Sequence, residues 1–252
     1  MNMFKASNNL KGIMKSRYII LFAFTILISS CNQEKEKPKV IYDNASKNKV
    51  APANVDTTRI VIADLPIEIS GTDYLIHPIG DIRVYDGGRA KYAGGASNSV
   101  SYTISNYNEF EITGYLSNLK FQAINSDSLH VLSEKPVMIQ TATFLRQVAE
   151  KTKQQLMVYT LADVDTNKDG KLDDTDIKSL YISTISGEKF TKLSADFEEL
   201  IDWELAVNSN RVYFRTIEDT NKNGEFDKND ILHYNYVDVT AKDWSVKTYK
   251  PI

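Results

Sequence analysis

Cysteine occurs once in this 252-residue chain, at Cys31, so no intramolecular disulfide can form and no other thiol exists for catalysis or metal binding. Histidine is nearly as scarce. His77, His130 and His233 stand far apart, without the short spacing of a zinc site. There is no phosphate loop, dinucleotide fingerprint or nucleophile elbow; Gly87-Gly88 and Gly94-Gly95 read as turn glycines. Long apolar runs are missing as well. The stretch Tyr18–Ile28 has about a dozen residues, against the roughly 20 that a spanning helix needs. Adjacent acids such as Glu198-Glu199 are raw material for a glycan hydrolase, but spacing along the chain locates no paired-acid site.

What is present begins with order at the N-terminus. Lys5, Lys11, Lys15 and Arg17 precede the apolar run, no acidic residue accompanies them, and Ser29-Ser30 close it, which is the layout of a secretory signal. Leu27-Ile28-Ser29-Ser30-Cys31 resembles the lipobox of bacterial lipoproteins. That resemblance implies removal of residues 1–30, acylation of the Cys31 thiol and of the new N-terminus, and a membrane anchor made permanent by about 0.8 kcal/mol per buried CH2. Asn32 stands where an aspartate would imply inner-membrane retention, so the resemblance implies the outer membrane, on its periplasmic or its outer face. The run Gln33–Lys37 resembles the surface-export tracts of Bacteroidota lipoproteins, and is equally an ordinary solvated linker. Asp56-Thr-Thr and Asp127-Ser-Leu fit the loose O-glycosylation pattern of the same group.

Loss of the leader changes the charge. The chain has 30 Lys+Arg and 33 Asp+Glu; four of the basic residues precede Cys31, leaving 26 against 33, about −7. An acidic surface excludes nucleic acid as a partner and suits divalent cations. Residues 31–58 are rich in Lys and Asn with unperiodic aliphatics, a composition that predicts a tether with an r.m.s. span on the order of 30 Å. Residues 59–252 suffice for one domain. Runs such as Arg59–Ala63, Asp81–Tyr85, Ser99–Ile104, Gln155–Tyr159 and Arg211–Arg215 are β-branched and aromatic. Turn formers at Asp86-Gly-Gly, Gly94-Gly95, Ser186-Gly187 and Asn208–Asn210 separate them. These features predict an all-β domain, with one short helix over Thr143–Lys151.

Two segments, 54 residues apart, repeat one frame. The first places Asp165, Asn167, Asp169, Asp173 and Asp176 at loop positions 1, 3, 5, 9 and 12; the second places Asp219, Asn221, Asn223, Asp227 and Asp230 there. Gly170 and Gly224 occupy position 6, where the turn needs a backbone conformation costly for any residue with a Cβ. At position 7 Lys171 and Glu225 are free to vary because only the backbone carbonyl is required. Oxygen donors alternating along a tight turn converge on one point, which is what a hard cation with 6–8 oxygen ligands requires. Both segments resemble the EF-hand calcium loop at all twelve positions except the last, where Asp replaces the usual Glu. A shorter side chain there implies affinity in the 10⁻⁴–10⁻³ M range of extracellular modules. The competing reading is a pair of metal-free Asx-turn hairpins. Loop one carries four carboxylates at ligand positions and loop two three, so loop one is expected to fill first.

The flanks are strands and not helices. Leu156–Leu161 and Val212–Ile217 precede the loops, and Leu180–Ser183 and Tyr234–Val237 follow them. A cation between two strands stiffens a hairpin and is therefore structural. Leu180–Leu193, with Gly187, Trp203 and Arg211–Arg215, is similar to a blade of the TolB-type β-propeller, which implies a repeated unit over about residues 155–240. The expectation is thus of strand–calcium loop–strand units, arranged as propeller-like blades or as stacked antiparallel sheets. Fourteen tyrosines and two tryptophans can furnish a face for a peptide, protein or glycan, or serve as ordinary strand residues. Three functions remain open: a non-enzymatic, calcium-stabilised binding or scaffold lipoprotein, a glycan hydrolase or other carboxylate-based enzyme, and a purely structural envelope component.

Overall fold

The run Leu156–Ala162 is apolar at nearly every position, and the chain uses it as a strand covered on both faces. The computed structural model describes residues 38–42, 60–85 and 99–252, with the backbone alone at 83–85 and 99–101. Cys31, the leader 1–30, the rest of the expected tether and the turns at 86–88 and 94–95 lie outside the described residues. In chain order the first strands are β1 (Val61–Ala63), β2 (Ile67–Glu68), β3 (Tyr74–Asp81), β4 (Arg83–Tyr85), β5 (Ser99–Ser101), β6 (Ser105–Asn108), β7 (Glu111–Ala123) and β8 (Leu129–Val131). They are followed by β9 (Met138–Phe144), helix α1 (Arg146–Thr152), β10 (Leu156–Ala162), β11 (Ser179–Thr184) and β12 (Thr191–Lys192). The last group is β13 (Glu198–Ala206), β14 (Arg211–Glu218), β15 (Ile231–Asp238) and β16 (Val246–Thr248).

The fold is all-β, built from stacked antiparallel sheets. A large sheet runs β1-β3-β7-β9-β10-β11-β12, with β2, β6 and β8 added at its sides. A second sheet is the meander β13-β14-β15-β16, and β4 pairs with β5 separately. Strand alternation divides the core in two. Met157, Tyr159 and Leu161 join Ile76, Leu116, Phe121 and Ile139 on one face of the large sheet. Leu156 and Val158, with Leu180 and Ile182, point the other way and meet Leu200, Val212, Phe214 and Val237 of the second sheet. Leu145 and Val148 of the helix segment and Trp244 complete that inter-sheet core. The helix is shorter than expected, because Thr143 and Phe144 finish β9 and Leu145 caps the turn.

The 54-residue period corresponds to a four-stranded meander. Strands β9–β12 form one and β13–β16 the next, and in each an acidic loop joins the second strand to the third. Val158 and Val212, equivalent in the repeat, both face the inter-sheet core. Equivalence fails by one residue after the loops. Leu161 pairs with Ser179 across the first loop and Glu218 with Ile231 across the second, so Leu180 faces inward while its counterpart Tyr234 does not. The first meander is continuous with the large sheet through β7–β9 pairing. Among the described residues, no helix is long and apolar enough to cross a membrane.

The expected tether departs from uniformity at one stretch. Pro38–Tyr42 lies against the domain, with Val40 only 2% exposed.

Candidate metal loops

Both acidic loops are folded by the same short-range bonds, which is why two sequences that differ at five of their twelve positions take one shape. In each, the N–H of position 6 donates to the position 1 carboxylate, that of position 5 to the position 3 amide oxygen, and that of position 7 to the position 5 side chain. The position 12 carboxylate receives the N–H groups of positions 2 and 9, and the position 9 carboxylate that of position 11. All twelve distances lie between 2.7 and 3.1 Å. Lys168 and Lys222 at position 4 have φ of 57°, and Gly170 and Gly224 at position 6 have φ of 84° and 83°. The backbone is thus preset, and Leu172 and Phe226 at position 8 are half-buried.

The loops differ at position 1. Asp219 is 3% exposed, and its carboxylate receives Gly224 N–H, Asn223 N–H and the Tyr42 hydroxyl. Burial first, then that bond and the charge of Asp219, push the Tyr42 pKa up to about 12. Asp165 has no such partner: its Oδ2 receives Gly170 N–H at 2.9 Å, while Oδ1 is buried without a hydrogen bond. A buried carboxylate oxygen left bare is costly and calls for a cation or a donor. At position 12, Asp176 is 1% exposed, and burial raises its pKa against the N–H groups of Asp173, Thr166 and Asn167 that lower it. Donors that are all oxygen, several of them charged, fit a hard divalent ion. Asp165, Asn167, Asp169, Asp173 and Asp176, with the Lys171 carbonyl, are the residues that would hold one in loop one. In loop two the set is Asp219, Asn221, Asn223, Asp227 and Asp230, with the Glu225 carbonyl.

The carboxylates within a loop still stand apart, each engaged with a backbone N–H. The trio whose ligand atoms all lie within 4.8 Å of one another, among the described residues, is Glu198, Glu218 and His233. Sequence spacing concealed it, since its members come from β13, β14 and β15. Strand register brings them together: Glu198 opposes Glu218, and His233 lies beside Thr216 two residues away. His233 Nε2 is 2.9 Å from Glu218 Oε2, and Thr216 donates to Glu198. His77 contacts Gln122 at 2.9 Å, away from the loops.

At the root of loop one, Asp163 receives Ser179 Oγ at 3.0 Å, the Tyr181 hydroxyl at 2.7 Å and Lys192 Nζ at 2.8 Å. Burial alone would raise its pKa, but the Lys192 ammonium and the two hydroxyls hold its carboxyl below the usual range. Elsewhere, an open groove of about 710 Å³ is lined by Glu109, Glu111, Glu150, Glu204, Arg146 and Trp203, among others. Two of its acids are already engaged: Glu111 receives Thr143 Oγ1 at 3.0 Å and Glu150 receives Arg146 Nε at 2.6 Å. Comparison with protein-family models, with curated proteins and with solved structures found no match.

A lowered folded-state pKa makes ionised Asp163 stabilising above the unfolded value near 3.9, and that contribution disappears as pH falls through the folded value. Asp163→Asn should therefore cost about 2–3 kcal/mol at pH 7. Urea unfolding in chelator should show the gap from wild type narrowing below about pH 4. A gap independent of pH would contradict an ionised Asp163.

Proposed function

We propose that this protein is a calcium-stabilised lipoprotein of the outer membrane that acts as a non-enzymatic binding or scaffold module. The observation that carries the metal reading is the bare, buried Asp165 Oδ1 inside a twelve-residue frame that recurs with the same bonds around Asp219. The strands on either side of each loop are paired neighbours of one sheet, so an ion in each loop would brace the hairpin that they form. Support for the binding role comes from the outer face of the second sheet. There Tyr213, Tyr234, Tyr236 and Tyr249 form a cluster with ring centres 5.4–6.2 Å apart, and the Arg211 guanidinium lies 4.5 Å over Tyr236. Tyrosine faces of this kind suit peptide or glycan partners.

Calcium titration by calorimetry and thermal melting tests the metal reading. Two events are expected in the 10⁻⁴–10⁻³ M range, the tighter one lost in Asp165→Asn and the weaker in Asp219→Asn. At calcium a hundredfold above its Kd each site should add about 2.7 kcal/mol of stability. Absence of heat and of any rise in melting temperature at 10 mM calcium, an arbitrary ceiling about tenfold above that range, would remove the metal from this account. The anchor has a separate test: Cys31→Ser should move the protein from the membrane fraction to the soluble fraction, and an unchanged distribution counts against lipidation.

One observation favours an enzyme instead, the carboxylate-lined groove beside Trp203. Release of reducing ends from surface glycans, lost in Glu204→Gln with the fold intact, would replace the binding role by hydrolysis.

A further inference from the structure

The segment Pro38–Tyr42 contacts both acidic loops at once, although 127 residues separate Lys39 from Thr166. Lys39 N–H and Val40 N–H donate to Gly224 O at 2.7 and 3.3 Å, and Ile41 N–H donates to Thr166 O at 2.9 Å. Thr166 Oγ1 returns a bond to Lys39 O at 2.9 Å. The side chains repeat the pattern. Val40 is buried, the Tyr42 hydroxyl bonds Asp219, and Lys39 Nζ pairs with Glu199 Oε1 at 2.7 Å. Glu199 in turn receives Lys178 N–H, two residues beyond the end of loop one.

The two loop residues bonded by the backbone of this segment, Thr166 and Gly224, each also hold a ligand-position carboxylate. Thr166, at position 2, donates its N–H to Asp176 Oδ1 at 2.7 Å. Gly224, at position 6, donates its N–H to Asp219 Oδ2 at 2.7 Å. The two glycines show how local the fit is. A Cβ on Gly170 would meet nothing within 4 Å, whereas one on Gly224 would fall 2.4 Å from Val40 O and 2.7 Å from the Pro38 ring. Position 6 of loop two is therefore glycine for two reasons, its φ and the segment laid across it.

We infer that Pro38–Tyr42 is a calcium-dependent clasp, which couples the filling of the two loops. The inference rests on the calcium reading above. Its physical basis is preorganisation: backbone bonds to positions 2 and 6 remove loop conformations that ion binding would otherwise have to suppress. Linkage makes the effect mutual, so any factor by which the clasp tightens calcium is the factor by which calcium tightens the clasp.

The test uses the full-length chain in detergent, with calcium alone as the probe. Val40→Asp places a charge at a buried position of the clasp and changes no loop residue. It should weaken calcium binding at both loops by about fivefold or more. Tyr42→Phe, which removes only the bond to Asp219, should weaken loop two alone and serves if the first variant misfolds. Chymotrypsin cleavage after Tyr42 should be slowed by calcium in wild type and not in Val40→Asp. Wild-type affinity in both variants, or cleavage indifferent to calcium in a wild type that binds it, overturns the clasp and leaves the calcium reading standing. A wild type that shows no calcium heat overturns the calcium reading itself.

Discussion

Burial of one strand on both faces positions everything else in this domain. Strand β10 sends Met157, Tyr159 and Leu161 into one core and Leu156 and Val158 into the other, so neither sheet can shift without uncovering apolar surface on the opposite side. Hydrophobic burial of this kind is non-directional, and the β10–β11 ladder supplies the direction that it lacks. The first acidic loop hangs from the end of that ladder. Its stem is held by Asp163 with Ser179, Tyr181 and Lys192, which keeps a charged loop at the rim of a dry core.

The loops themselves follow a different logic. They contain little to bury, and they are shaped by carboxylates and amides accepting N–H groups a few residues along the same chain. Such bonds fold a loop and leave lone pairs directed inward, but they also gather negative charge. At Asp219 the charge is relieved by a protein donor, the Tyr42 hydroxyl. At Asp165 one oxygen has no partner. The two copies of one frame therefore stand at different stages of satisfaction, and the difference originates in Asn223 N–H within loop two and in a segment far away in sequence.

That segment also joins the two loops to each other. Residues 38–42 belong by composition to the stretch ahead of the first strand, yet Val40 is buried as deeply as a core residue, and the backbone on either side of it bonds Gly224 of one loop and Thr166 of the other.

The division between sequence and tertiary structure follows the range of the interactions. An all-β domain, the positions of most later strands and the twelve-residue loop frame could be read from residues alone, because alternation, turn glycines and ligand spacing are local properties. The resemblance of Leu27–Cys31 to a lipobox is local as well. Other features depend on contacts between distant residues. The stacking of the meanders required knowing which face of β10 meets β14, and the one-residue slip after the loops shows that the repeat does not carry this. The trio Glu198, Glu218 and His233 is assembled by register across three strands. The clasp pairs Lys39 with Glu199 over 160 residues. Sequence by itself determined which oxygens a cation could use. Only tertiary structure decided which of them are already spoken for, because a partner's hydroxyl or ammonium arrives through space and leaves no periodicity along the chain.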